Sequence, residues 1–358
     1  PVVTPSIPPA PLPATVAGET PSTSEPLRSM PSSLDESLDI FKHAGDGEAI
    51  HLLREIAEDI DELPDVWRLL AEQEPRVARR IERKIIDLSD RVDEDKLADV
   101  RSGEEIEQMI HFEDWLKELE DDMKEPWRKA WMTGAEVAAY ESDIRIVRGF
   151  VKQDTPDPAI EFNVANPLAV EWAEVHGGQF IAEIKMATKK AINKSIAQAL
   201  QRGLGVDEET RRLLKLQIGL TEQQAGAVDN YAQRLKTRKP PLSKEQFDKR
   251  VLRYRNAKQR LRAHTIARTE LAFGSSAGQE GLWQQAAKQE LLNTAKLNRK
   301  WLSTPVGRCA ICAGLSKLPS IPFEKTFEYA GKSYQNAPAH PNCRCTVGLV
   351  KARKKMIG

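Results

Sequence analysis

Residues 243–262 read SKEQFDKRVLRYRNAKQRLR. Val251, Tyr254, Ala257 and Leu261 recur at steps of three and four, which sets them on one face of an α-helix. Arg250, Arg253, Arg255, Lys258, Arg260 and Arg262 crowd the other positions. The spacing predicts a basic helix able to lie along phosphates. The plain alternative is a solvated face. No helix-turn-helix or RNA-recognition signature accompanies it, so base-specific reading is not indicated.

Toward the N-terminus, 236–244 (KTRKPPLSK) breaks the helix. Before it, Thr221 and Gln224 form a capping-box pattern ahead of Ala225, Val228, Tyr231 and Leu235. Asn166-Pro167 has the form of a helix start. That helix is interrupted at Gly177-Gly178, resumes through Ile181, Ile184, Ala191, Ile192 and Leu200, and ends at Gly203. Residues 141–165, with Pro156 and Pro158, read as a linker. Further out, Leu52, Leu53, Ile56, Ile60 and Leu63 follow helical spacing up to Pro64. Val77, Ile81, Ile85 and Leu88 belong to another helix. A third runs from Glu104 to Glu120 through Ile106, Ile110, Trp115 and Leu116. Trp115, Trp127 and Trp131 read as packing anchors. Residues 1–33 hold nine of the 22 prolines and read as an extended arm.

Charge follows the same division. The chain has 53 basic and 53 acidic residues. Residues 1–130 carry 16 Lys and Arg against 32 Asp and Glu, 131–230 carry 11 against 14, and 231–358 carry 26 against 7. Such asymmetry predicts two surfaces with different partners, one of them nucleic acid, or else two halves that pair with each other. No apolar run approaches the ~20 residues of a membrane span. No secretory signal is expected. Four cysteines in 358 residues exclude a disulfide scaffold.

Toward the C-terminus, all four cysteines fall in two clusters. Cys309 and Cys312 form a CxxC, and Ala339-His340-Pro341-Asn342-Cys343-Arg344-Cys345 follows about 30 residues later. Two short groups of soft donors separated by a loop are the pattern of a tetrahedral Zn²⁺ site. Reduced thiols or a disulfide are the alternatives. Cys309, Cys312, His340 and Cys343 are the favoured ligands, with Cys345 as the substitute. Four protein donors would make the site structural, with no open position for water. Phe323, Phe327, Tyr329 and Tyr334 around Ala330-Gly331-Lys332 predict a hairpin, and Cys345–Val350 a terminal strand. A basic tail, 351–358, ends the chain.

The order His264-Thr265-Ile266-Ala267-Arg268-Thr269-Glu270, then Gly278 and Gly281, Trp301, the CxxC and Pro338–Cys345 resembles the phage Mu F-like head morphogenesis family. These are minor head proteins of tailed bacteriophages. The likeness covers roughly 161–350. It implies a virion component inside the capsid near the portal, assembled in the host cytoplasm. Its partners would be the portal protein, the major capsid protein and packaged double-stranded DNA, with no membrane. It implies no enzyme. Arg268, Thr269, Glu270 and Trp301 are structural motif residues in this reading. Arg268 and Glu270, two apart on a helix, point in different directions. One is expected to bond to the zinc module and the other to a neighbouring helix. A zinc-containing nuclease and a portal adaptor without DNA contact are the alternatives.

The expected fold is mainly α, with an elongated helical N-terminal part and a C-terminal α+β zinc-stapled module. Its divisions are a Pro-rich arm (1–33), an acidic helical region (34–160), a helical lead-in (161–240), a basic core with the Cys/His module (241–350) and the tail.

Overall fold

A computed structural model describes residues 32–56, 65–93, 96, 103–142, 145–147, 159–161, 171–172, 175–176, 183–190, 215–216, 218–303 and 309–352. Its helices are α1 (Ser32–Ala44), α2 (Gly47–Ile56), α3 (Asp65–Asp90), α4 (Gly103–Met109), α5 (Phe112–Glu141), α6 (Glu222–Lys236), α7 (Lys244–Lys288) and α8 (Ala310–Lys317). Residues 183–190 are also helical. The strands are β1 (Arg145–Val147), β2 (Ala159–Glu161), β3 (Leu297–Leu302), β4 (Ile321–Pro322), β5 (Phe327–Tyr329), β6 (Lys332–Tyr334) and β7 (Thr346–Lys351). The chain is mainly helical with a small C-terminal sheet, as the periodicity predicts.

The opening stretch becomes the start of α7, a helix of 45 residues. At 1.5 Å per residue it is about 68 Å long. Ser243 caps it, accepting the Gln246 backbone N–H while the Gln246 side chain accepts the Ser243 N–H. It stops where Glu290 turns left-handed (φ 59°). There the Leu291 N–H reaches Ala286 O at 2.9 Å and the Glu290 N–H reaches Ala287 O at 3.1 Å.

Three hydrophobic cores lie along α7. At its start, Val251, Tyr254, Ala257 and Leu261 pack with α1, α2 and α6. In the middle, Ala263, Ala267 and Leu271 pack with α3, α4 and α5. Toward its end, Leu282, Trp283 and Ala286 join Trp131 and Ala135 of α5, and Trp301, Leu315 and Phe327 of the sheet module. A helix with three successive partners is buried on several sides, so its basic positions cannot all face water.

Acids from the N-terminal half meet them. Lys258 contacts Asp46, Arg260 Nε lies 3.1 Å from Glu82, and Arg268 Nε lies 3.0 Å from Glu74. Part of the charge asymmetry is thus answered within the chain, where these cations meet acids of the N-terminal half. Asp46 also caps α2 through the Ala49 N–H at 3.1 Å and accepts the Tyr254 hydroxyl.

α5 and α7 approach until backbones touch. A Cβ at Gly278 would sit 1.7 Å from Trp131 O, and one at Gly134 would sit 1.8 Å from Ser275 O. Within α5, Pro126 lacks the N–H that would bond to Asp122 O. Arg80 of α3 takes that carbonyl at 2.6 Å. The Trp115 indole N–H of α5 donates to Lys84 O of α3 at 2.8 Å.

The C-terminal sheet has the order β4-β3-β7, all antiparallel. β5 and β6 form the expected hairpin, turning on Ala330 (φ 51°) and Gly331 (φ 75°).

Some expectations are corrected. The stretch 104–120 is not one helix. His111 (φ 49°) breaks it between α4 and α5, with Ile110 and Phe112 on either side of the break both buried. Residues 141–165 include β1 and β2, which pair in parallel. α1 begins at Ser32, inside the expected arm. The sites Ile60, Leu63, Pro64, Asn166, Pro167, Gly177, Gly178 and Gly203 lie outside the described residues, as do 1–31 and 353–358.

Candidate metal centre

α8 starts on the first cysteine cluster. Cys309 is its N-cap, and its sulfur accepts the Cys312 backbone N–H at 3.4 Å. This one-turn geometry points both sulfurs the same way. The second cluster is a turn. The Cys343 N–H bonds to His340 O at 3.2 Å, with Pro341 and Asn342 between them. Asn342 is left-handed (φ 64°), so the turn has Pro then Asn at the positions favouring a type II form.

The turn delivers His340 to the cysteines. His340 Nε2 lies 3.1 Å from Cys309 Sγ and 3.0 Å from Cys312 Sγ. Cys312 Sγ lies 3.6 Å from Cys343 Sγ. Cys309, Cys312 and His340 form one group whose donor atoms all lie within 4.8 Å, and Cys312, Cys343 and Cys345 form another. The five expected donors thus fall into two groups that share Cys312, and the favoured set of Cys309, Cys312, His340 and Cys343 is divided between them. His340 Nδ1 sits 2.7 Å from Pro341 O. A proton on Nδ1 leaves Nε2, the nitrogen among the sulfurs, free to coordinate.

The electrostatics also fit a cation. Hydrogen bonds from Cys312 and Cys345 hold the Cys343 thiol far below its usual range. The hydrogen bond with Cys343 pushes Cys312 up. The Cys343 side chain raises His340 to about 9. Sulfurs packed this closely cannot all ionise unless a positive charge sits among them. Thiolate and imidazole donors suit a borderline-soft metal ion.

The motif on α7 holds this centre from behind. Arg268 is 1% exposed. Its Nη1 donates to Asn342 Oδ1 at 2.9 Å, while Nε and Nη2 donate to the two Glu74 oxygens at 3.0 Å each. Thr269 Oγ1 accepts the Asn342 N–H at 3.0 Å. One side chain thus ties the metal-site turn to α3. Glu270 points elsewhere. Its Oε2 accepts the Trp127 indole N–H at 3.0 Å and lies 2.6 Å from His176 Nε2. The His176 ring stacks on Trp172, with centroids 4.6 Å apart. Arg268 and Glu270 do diverge, and Arg268 alone reaches both the module and a neighbouring helix. Trp301 packs edge-on against Phe327 at 5.4 Å, in the core that contains Cys312, Cys343 and Cys345.

Sequence reasoning missed Glu74, His176 and the role of Asn342. Glu74 sits in a charged helical stretch with no local mark. Asn342 lies inside the Cys/His motif, and its place after Pro341 was the signal available.

Burial pushes Glu74 up, but the Arg268 guanidinium and His264 outweigh it and bring the carboxyl from 4.5 to about 2. A depressed folded pKa contributes stability above the unfolded value and loses it as pH falls through the folded one. Acidification from about pH 4.5 to about 2 should therefore cost about 3 kcal/mol at this site. Glu74→Gln should remove that part of the acid limb in urea melts and cost about 3–5 kcal/mol at pH 7, because Arg268 stays buried without its carboxylate. An acid limb unchanged by the substitution would refute the assignment.

A cavity of about 510 Å³ adjoins the clamp, with Asp46, Lys258, Arg262, Thr269, Glu270 and Asn342 in its wall. Its basic groups are engaged, Lys258 by Asp46 and Arg262 by the Gly219 carbonyl.

The six basic residues expected on DNA separate. Arg255, Lys258 and Arg262 are buried, Arg260 is half-buried, and only Arg250 and Arg253 are exposed. The expected basic stripe along this helix is corrected accordingly: its sides are covered by α1, α2 and α6, so most of its cations bond inward. Among the described residues no helix is long and apolar enough to cross a membrane. Compared with known proteins, the chain matches no family model, no curated protein and no solved structure.

Proposed function

We propose that this chain is a structural component of a tailed-phage head, with a C-terminal module stapled by Zn²⁺. The observation that supports this reading best is the contact between the two separated parts of the head-protein signature. Arg268 and Thr269 of the helical motif hold Asn342 of the Cys/His motif. The two parts of the signature thus touch, and in this reading their shared task would be to hold the Cys/His turn on the helical bundle.

Cys309, Cys312, His340 and Cys343 would hold the ion, and Cys345 is the replacement donor. Zn²⁺ there would supply cross-linking. Four protein donors leave no position for an attacking water, which favours a structural over a catalytic role. In this reading the chain resides in the capsid interior near the portal. It contacts the portal and major capsid proteins, and it handles packaged DNA.

Antibody detection in purified particles tests the proposal. The chain is expected to band with DNA-filled heads and to resist protease until the heads are opened. Recovery only in the soluble lysate would overturn it. Incubation with plasmid and Mg²⁺ tests the nuclease alternative. Cleavage that co-purifies with the protein and disappears in a Cys309→Ser, His340→Ala double variant would replace the structural reading.

A further inference from the structure

The buried cations of α7 leave a different surface as the basic one. Residues 234–253, from the last turn of α6 through the connecting turn into α7, contain eight Lys and Arg against two acids, Glu245 and Asp248. All eight are exposed. From Arg253 onward, several α7 cations face acids of the N-terminal half, Arg253 with Glu36, Lys258 with Asp46 and Arg260 with Glu82, while Arg255 and Arg262 donate to the Leu216 and Gly219 carbonyls. Ahead of that point Arg250 shares a cavity wall with Glu36 and Asp39 without an ion pair to either. Among the described residues, Arg238, Lys239, Lys249 and Arg250 have no acid within ion-pair distance. Lys249 and Arg250 stand within about 9 Å of the helix start, beside the turn that carries the other two.

We infer that the α6–α7 turn is a phosphate-contacting surface for the backbone of double-stranded nucleic acid. It deepens the DNA-handling part of the proposed function and rests on that part for the identity of the polyanion. The composition favours a nucleic acid over a protein. Protein interfaces centre on buried aromatic or aliphatic anchors. Leu252 is the one large apolar side chain strongly exposed on this stretch. Clustered cations without an anchor attract a uniform line of phosphates and release its counterions. Among the described residues 234–253 no base-reading element is present, so sequence should not matter.

Anisotropy of the full chain on a labelled random duplex of about 30 base pairs, from about 50 to about 200 mM salt, provides the test. The variant is Arg238→Gln, Lys239→Gln, Lys249→Gln and Arg250→Gln together. All four side chains are on the surface, so its thermal melt should match that of the parent. The parent should bind any sequence, and the variant at least about tenfold more weakly at about 50 mM salt. The slope of log affinity against log salt should fall by about 3 to 4, near 0.9 for each phosphate that is no longer neutralised. Equal binding and equal slope in the variant would overturn the surface while leaving DNA binding elsewhere on the chain. No binding by the parent at about 50 mM would overturn DNA binding itself, and the particle test above would still stand. Self-association by the parent, absent in the variant and unaccompanied by duplex binding, would mean that the turn meets a second copy of the chain, and would also overturn the inference.

Discussion

Cys312→Ser should abolish metal retention and release the C-terminal module, whereas Cys345→Ser should leave about one metal per chain. The asymmetry follows from position. Among the described residues, Cys312 is the only donor that belongs to both groups of three, and its sulfur lies 3.0 Å from His340 Nε2 and 3.6 Å from Cys343 Sγ. Without it, neither group retains three donors. Cys345 belongs only to the group that Cys343 also serves. Structural zinc contributes ~10–16 kcal/mol in small peptides, more than the whole stability of many domains. Without the ion the module keeps its share of the third core, but its elements are short. Its strands are two to six residues long, and α8 has eight residues. The helical bundle has two cores of its own and should survive. Chelation or Cys312→Ser should therefore leave most of the far-ultraviolet helix signal, expose sites in 309–352 to protease, and uncover Trp131 and Trp283 to a hydrophobic dye. Metal analysis decides the first point. Full metal content in Cys312→Ser, or metal-free protein with an unchanged melt and protease pattern, would refute the stapled module.

Gly278→Ala should cost more than ~3 kcal/mol, and Gly226→Ala should stabilise by roughly 0.5–1 kcal/mol. Both glycines are in helices. What differs is what a methyl group would meet. At Gly226 of α6 nothing lies within 4 Å. Alanine there gains helix propensity at no steric cost. At Gly278 the new Cβ would stand 1.7 Å from Trp131 O and 2.6 Å from Trp131 C. These are backbone atoms of α5, which cannot rotate away, so the two helices must separate by more than an ångström. Separation opens the core around Trp131, Ala135 and Trp283. Urea melts of the two variants give the answer directly, and a Gly278→Ala protein as stable as the parent would disprove the close crossing.

The periodic stripe from Val251 to Leu261 was legible because helical burial repeats locally. So were the cap at Thr221 and the hairpin at Ala330-Gly331, each a matter of a few neighbouring residues, while the two Cys/His clusters were legible from their donor chemistry and meet in two groups that share Cys312. The fate of the basic side chains was not legible. Arg260 is answered by Glu82 and Arg268 by Glu74, acids 178 and 194 positions away, and nothing near an arginine says whether a distant carboxylate will reach it. The same holds for Gly278. Its place in a motif could be seen, but the requirement for a bare Cα comes from α5. The break at His111 was hidden for a different reason. The residues around it suit a helix, and no glycine or proline marks His111 as the point where the chain turns.

A single rod threaded through three cores has a consequence for how the molecule breathes. Neither the α1–α2–α6 end nor the Cys/His end can detach without fraying one tip of the same helix, while its middle stays clamped between α3 and α5. Amide hydrogen exchange should then be graded along one continuous element. The amides of Ala263 to Leu271 should exchange slowest, through global opening alone. Those near Val251 and near Trp283 should exchange by two separate partial openings, and only the second should respond when the metal is withdrawn.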